Sequence, residues 1–205
     1  MSIEASALFV TQLAMGFALA ACVGLRAFLP LLAAGLLARY GYVDLGPSFA
    51  WMESTPALVV FGSAFVFEVL ADKVPVLDHA LHAVEAFVKP MAATLLAASL
   101  FTNLDPVLAM TLGLIGGGTI AGAVHALRGG TRVLSTGLTG GLANPVLSLF
   151  DDFLAVVGVA FALVLPVLAA IVVIVLIVLG VRMLLRARRT KPSSAITPRT
   201  HTPER

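Results

Sequence analysis

Residues 153–181 read FLAVVGVAFALVLPVLAAIVVIVLIVLGV, 29 positions without a charged side chain. A helix needs about 20 apolar residues to cross a hydrocarbon layer about 30 Å thick. The surrounding stretch, 145–187, would be roughly 64 Å long as one straight helix at about 1.5 Å per residue, too long for a single crossing. It divides at Leu165-Pro166, because proline lacks the N–H that a helix interior uses and crowds the preceding turn. The stretch is read as two membrane-spanning helices joined by an apolar turn.

The whole chain agrees with that reading. Of its 205 residues 60% are apolar and 12% charged, against about 45–50% and about 25% in soluble domains. This excludes an ordinary soluble enzyme, a disordered chain and a nucleic-acid binder, and indicates a polytopic membrane protein. A single cysteine, Cys22, excludes a disulfide framework and a thiolate metal cage. Leu19-Ala20-Ala21-Cys22 resembles a lipoprotein cleavage box, but no Lys or Arg precedes it, so residues 3–25 are read as a first transmembrane helix.

Charge is divided along the chain. Residues 1–181 hold six of the 13 basic residues and ten of the 11 acidic ones, whereas residues 182–205 hold seven basic residues and Glu204. A basic run directly after an apolar span marks a cytoplasmic end. Residues 188–205, rich in Arg, Pro, Ser and Thr, are read as a disordered cytoplasmic tail suited to anionic lipid headgroups.

Residues 27–38 follow the first span and are too short to cross, which suits a re-entrant half-helix. Thr55-Pro56 starts the next helix, with Thr as the cap. It runs to about Val74 and carries Glu68, Asp72 and Lys73 near its end. In residues 77–88, Leu77, Ala80, Leu81, Val84, Phe87 and Val88 share one helical face, and Asp78, His79, His82 and Glu85 share the other. That pattern predicts an amphipathic helix lying at the water interface or capping the bundle, with Pro90 opening a further apolar segment. Residues 107–127 form a helix in which Gly113/Gly117 and Gly118/Gly122 allow close backbone approach. Residues 128–144 are read as a second polar half-helix, and Asn144-Pro145 as the next helix start.

The fold expected is therefore all-α, with about six transmembrane helices and two re-entrant half-helices in one domain, 1–187. The segments 3–104 and 106–187 align as repeats, which with three spans each would sit inverted in the membrane. Six crossings put both termini in the cytoplasm, and the distribution of Lys and Arg agrees with that.

The string Glu68-Val-Leu-Ala-Asp72-Lys73-Val-Pro75-Val-Leu-Asp78-His79, followed by Lys89-Pro90, resembles the signature of the bacterial membrane family called domain of unknown function 4126. Gly24-Leu-Arg-Ala-Phe-Leu-Pro30, Thr136-Gly-Leu, Asn144-Pro145, Ser148, Asp151-Asp152 and Leu165-Pro166 fit it too. The resemblance covers about residues 10–185 and implies a multi-pass protein of the bacterial cytoplasmic (inner) membrane; it lends no activity. In layout alone the chain is similar to DedA-type lipid transporters, which pair two re-entrant segments with embedded acids and arginines.

Charged groups inside apolar segments are costly and functional by default. Glu68 and Asp72, four residues apart, share a helix face and suit proton coupling or cation binding. The alternative has Asp72 and Lys73 at the water interface, paired with Arg128 or Lys89. Asp151 and Asp152 lie near a helix N-terminus, where carboxylates are favoured anyway; the sharper reading has Asp152 facing a cavity opposite Glu68. Arg132, Ser135, Thr136, Thr139 and Gly137, Gly140 and Gly141 form the second half-helix, with Asn144 at its end; together with Arg26 they suit a lipid phosphate, and the alternative is a polar connector that needs glycines to turn. His79, His82 and Glu85 have spacings a metal ion could use, but a solvated helix face accounts for them, and no metal or other cofactor is expected. His125 is read as a hydrogen-bonded core residue. No nucleotide-binding, zinc-protease or serine-hydrolase motif is present, so an enzyme is the less favoured reading.

The sequence thus indicates a secondary transporter or lipid translocase. Its candidate binding residues are Glu68, Asp72, Lys73, Asp78, Asp151, Asp152, Arg26, Arg132, Thr136 and Asn144. Its partners are the bilayer, an anionic lipid or small ion, and a second copy of the chain. The alternative is a non-catalytic membrane scaffold or accessory subunit.

Overall fold

The computed structural model describes residues 3–72, 75–140 and 142–189, the side chains of 75–82, 184 and 187–189 excepted. The regular elements among them are all helical. They are α1 (Ile3–Leu25), α2 (Phe28–Arg39), a 3₁₀ segment (Pro47–Glu53), α3 (Thr55–Ala71) and α4 (Pro75–Ser99), then α5 (Pro106–Leu112), a π-helical segment (Gly113–Gly118), α6 (Thr119–Thr139), α7 (Asn144–Val164) and α8 (Pro166–Arg189). Four described stretches are long and apolar enough to cross a membrane: Ile3–Leu25, Pro106–Thr139, Asn144–Val164 and Pro166–Met183. The 3₁₀ segment and α3, bent by 63°, would together make a fifth. α8 leaves Ile171, Ile174, Leu176 and Leu179 exposed, a surface that suits a lipid environment. The chain is an all-helical, membrane-embedded protein.

α1 is the hub, packed against α4, α6, α7 and α8. Its buried stretch is built from small residues, Ala14, Gly16, Ala18, Ala20, Ala21 and Gly24 among them. Small residues let helices approach closely where there is no water to drive them together. The same device joins α4 to the π segment. A Cβ on Gly113 would stand 2.5 Å from the Thr94 carbonyl oxygen, and one on Gly117 would stand 2.7 Å from that of Ala93. The pairing expected of these two glycines is therefore real.

Side-chain contacts set the helix directions. Phe9 stacks on Phe101 and Lys89 reaches the Leu25 carbonyl, so α4 runs antiparallel to α1. Gly116 lies on Phe17 and Gly24 on Val124, so the long helix ending in α6 runs parallel to α1. Arg26 contacts Ser148 and Cys22 faces Gly158, so α7 is antiparallel. α8 returns, with Gly180 against Leu127. α2 leaves the end of α1 and α3 comes back to it, Glu68 bonding Ala27 and Arg39 bonding Thr55.

Several expectations change. The start of α1 and the end of α8 fall at opposite ends of the helical bundle, because α2 and α3 form a hairpin that returns to its starting level. The second half-helix is no separate element, since residues 128–139 continue α6 until Gly140 closes it with φ +64°. The cap of α3 is Ser54, whose Oγ accepts the Ala57 N–H, and not Thr55. The break at Leu165 is present.

The largest revision concerns α4. Pro90 does not start a helix; it lies inside one continuous helix of 25 residues. Glu85, Lys89, Ala93 and Leu96 form a single buried stripe across it. Among the described side chains of this helix the orientation is the reverse of that expected at a water surface: Glu85 is 4% exposed, whereas Val84 is 56% and Phe87 75% exposed. In water the charged face would point outward. In lipid the apolar face does, and the charges turn inward to meet partners.

Candidate functional site

The site forms where α1 breaks from α2. Arg26 still donates its N–H to the Cys22 carbonyl, at 2.8 Å. Ala27 and Phe28 do not reach back into α1; they donate to the two carboxylate oxygens of Glu68, at 2.9 and 3.3 Å. A negative side chain thus holds the positive end of α2. On the other side of the break, the Leu25 carbonyl oxygen accepts from Lys89 Nζ and Arg128 Nη1, each at 3.1 Å. Two positive side chains hold the negative end of α1. Free backbone groups are expensive in a membrane interior, and at this break opposite charges satisfy them.

Around the break the charged side chains join into one network. Lys89 Nζ lies 2.7 Å from Glu85 Oε2 and 4.0 Å from Glu68 Oε1. Glu85 Oε2 also meets Arg128 Nη1 at 3.4 Å and His125 Nδ1 at 3.9 Å. Asp72 is the second focus. Its Oδ2 lies 2.7 Å from Arg26 Nη1, 2.7 Å from Arg128 Nη2 and 3.2 Å from Arg132 Nη2. It also accepts the Ser148 hydroxyl at 3.0 Å, and Ser148 accepts from Arg26 Nη2 at 3.0 Å. The rim is α7: Asp151 takes Arg128 Nε at 2.7 Å, and Asp152 pairs with Arg26 Nε. Arg26 and Lys89 have no exposed surface, and Glu68, Glu85, Arg128 and Ser148 are buried with them.

Buried ion pairs are no evidence of stability by themselves, since desolvation offsets much of the attraction, yet removing one partner costs about 3–5 kcal/mol. What the arrangement provides chemically is a preformed set of guanidinium and ammonium donors beside exchangeable carboxylates, in a water-poor setting where each interaction is strong. Such a set can bind an oxyanion or pass protons between acids.

Six of the candidates named from sequence are brought together: Arg26, Glu68, Asp72, Arg132, Asp151 and Asp152. Glu85 joins them as a partner of Lys89 and Arg128. Arg26 stands between Asp152 and Asp72. Thr136 and Asn144 are outside the centre, bonded to each other at 3.2 Å where α6 turns into α7, because α6 carries Thr136 a further turn past Arg132. Lys73 and the side chains of Asp78, His79 and His82 lie outside the described residues. Lys89 and Arg128 are central, although the sequence reading used them chiefly as topology markers. A signal for them existed: before residue 182 the chain has only six basic residues, and four of these are buried.

No curated protein and no solved structure gives a significant match to the chain. A family model described as "Domain of unknown function (DUF4126)" matches residues 13–186. That span takes in every member of the charged centre from Arg26 to Asp152, and the chain belongs to the DUF4126 family.

Proposed function

We propose that the protein is a secondary transporter or lipid translocase whose working centre is the charged cluster at the α1–α2 break. The observation that carries the reading is the break itself, with Glu68 on the N–H groups of one helix and Lys89 with Arg128 on the carbonyl of the other. Broken helices whose exposed ends point into a charged interior are the way membrane transporters build sites for ions and anionic groups. Glu68, Asp72 and Asp152 are the proton or cation carriers in this reading, and Arg26 and Arg132 bind the anionic group. The basic end of α8 faces the cytoplasm of a bacterial cell, and the start of α1 faces the other side.

The test uses proteoliposomes containing the purified chain. Proton uptake is followed with an internal pH dye under an imposed potential, and lipid exchange with a fluorescent phospholipid bleached from outside. Wild type is expected to exceed empty vesicles in at least one assay, and the Glu68→Gln/Asp152→Asn double variant to fall to the empty-vesicle rate. A wild type that matches empty vesicles in both sinks the reading.

The scaffold alternative also has an observation in its favour: each acid of the centre lies within ion-pair distance of a base. Under it the double variant would lower stability without any flux to lose.

A further inference from the structure

Three guanidinium groups from two elements converge on one oxygen atom. Arg26 arrives from the α1–α2 break, and Arg128 and Arg132 come from successive turns of α6; the Ser148 hydroxyl adds a fourth donor to Asp72 Oδ2. A carboxylate oxygen has about two lone pairs to offer, so the donors outnumber what it can accept. The mismatch shows at Arg26. It is wholly buried, and its Nη1 and Nε lie at ion-pair distance from Asp72 and Asp152, yet neither N–H is aligned for a hydrogen bond. Unsatisfied buried donors are costly. The donors gathered here outnumber what this one oxygen can accept, and a group with more oxygens in the same place would meet more of them.

We propose that Asp72 is a tethered stand-in for a phosphate-bearing anion, and that Arg26, Arg128, Arg132 and Ser148 bind that anion when the Asp72 side chain swings out. This rests on the transport reading and names its substrate class. A phosphate monoester presents three oxygens and a charge of about −1.5 to −2, and guanidinium forks match its geometry. Asp72 is the residue that closes the C-terminal end of α3. The groups that face the vacated place are Asp151 and Asp152 from α7, Glu85 and Lys89 from α4, and Glu68 from α3. Asp151 and Asp152 remain on the outer nitrogens of Arg128 and Arg26 and keep them aimed inward.

The phosphate could be free or belong to a lipid. A cavity of about 350 Å³ lies between α1, α6, α7 and α8, lined by carbon from residues such as Leu25, Leu127, Leu154, Phe161 and Val173. Leu25 is next to Arg26, and Leu154 is one turn from Asp151. This places room for a hydrocarbon chain beside the cage, so both sources are tested.

The experiment is thermal unfolding of the detergent-solubilised full chain, wild type and Asp72→Asn, titrated with inorganic phosphate and with dihexanoyl phosphatidic acid, against chloride at matched ionic strength. Asp72→Asn is expected to melt below wild type and to recover by roughly 5 °C at a hundredfold excess of ligand over its Kd, while wild type moves much less. Recovery with both ligands identifies free phosphate as sufficient; recovery with phosphatidic acid alone identifies a lipid, and Val173→Phe should then abolish it. No recovery beyond the chloride control overturns the proposal. If Asp72→Asn gives no folded protein, ³¹P line broadening of the same two ligands by wild type and by Arg132→Gln decides it. Broadening that is lost in Arg132→Gln supports the cage, and equal or absent broadening overturns it. Flux in the vesicle assays without rescue would leave the transport reading standing and this inference fallen; rescue without flux would do the reverse.

Discussion

Two of the short helix breaks among the described residues, at 26–27 and at Leu165, are built in opposite ways. At 26–27 the ends of α1 and α2 are held by Glu68, Lys89 and Arg128, all buried. At Leu165 the chain bends between α7 and α8 with backbone bonds alone: Leu165 donates to the Phe161 carbonyl and Ala169 to that of Leu165, each at 2.9 Å. Pro166 follows and has no N–H to satisfy. Leu165 is about half exposed, so this break needs no charged partner. The first break is in the middle of the packed bundle, and its free polar groups have nowhere else to go. A turn at the edge needs only proline; a turn in the interior needs an electrostatic centre, and such a centre can also do work.

The contrast can be broken by substitution, and the largest effect is expected at Asp72. Asp72→Ala leaves three arginines around an empty place and should lower unfolding stability in detergent by about 3–5 kcal/mol. A loss below about 1 kcal/mol would mean that the cluster is solvated rather than buried. Next is Phe87→Glu, which sets a charge on the outward face of α4. If that face meets lipid, insertion should cost about 2.5–3.5 kcal/mol, read as a drop in membrane-integrated protein. Normal integration would return the helix to the water interface.

A smaller loss, about 1–2 kcal/mol, is expected from Glu68→Ala through the uncapped start of α2, measured by chemical unfolding, with Glu68→Gln recovering part of it. The smallest belongs to the second break: Pro166→Ala should change stability by less than about 1 kcal/mol, because no buried group loses a partner there. A large loss at Pro166 would erase the distinction between the two breaks.

Much of this was legible in the sequence. The spans of α1, α7 and α8, the shortness of α2, the proline break and most of the acids and arginines of the centre follow from length, proline position and the cost of charge in an apolar segment. The differences have separate physical causes. The face of α4 was assigned by the rule that holds in water, so Glu85 was turned outward and Lys89 was treated as a marker of sidedness. Within the bundle the rule inverts, and only the partners across the helices, Arg128 and His125 from α6, reveal it. Pro90 was taken for a helix start because its local chemistry is ambiguous, whereas the buried stripe from Glu85 to Leu96 continues through it. Thr136 and Asn144 were grouped with Arg132 by closeness in sequence, but the extension of α6 carries them away from the centre.

The central claim is that one carboxylate ties α1, α3 and α6 together through shared arginines. A double-mutant cycle on Asp72→Asn and Arg128→Gln, read by unfolding in detergent, tests it most directly. Contact within one network predicts a coupling of roughly 1–3 kcal/mol. Losses that add within about 0.5 kcal/mol would show two independent sites and contradict the account.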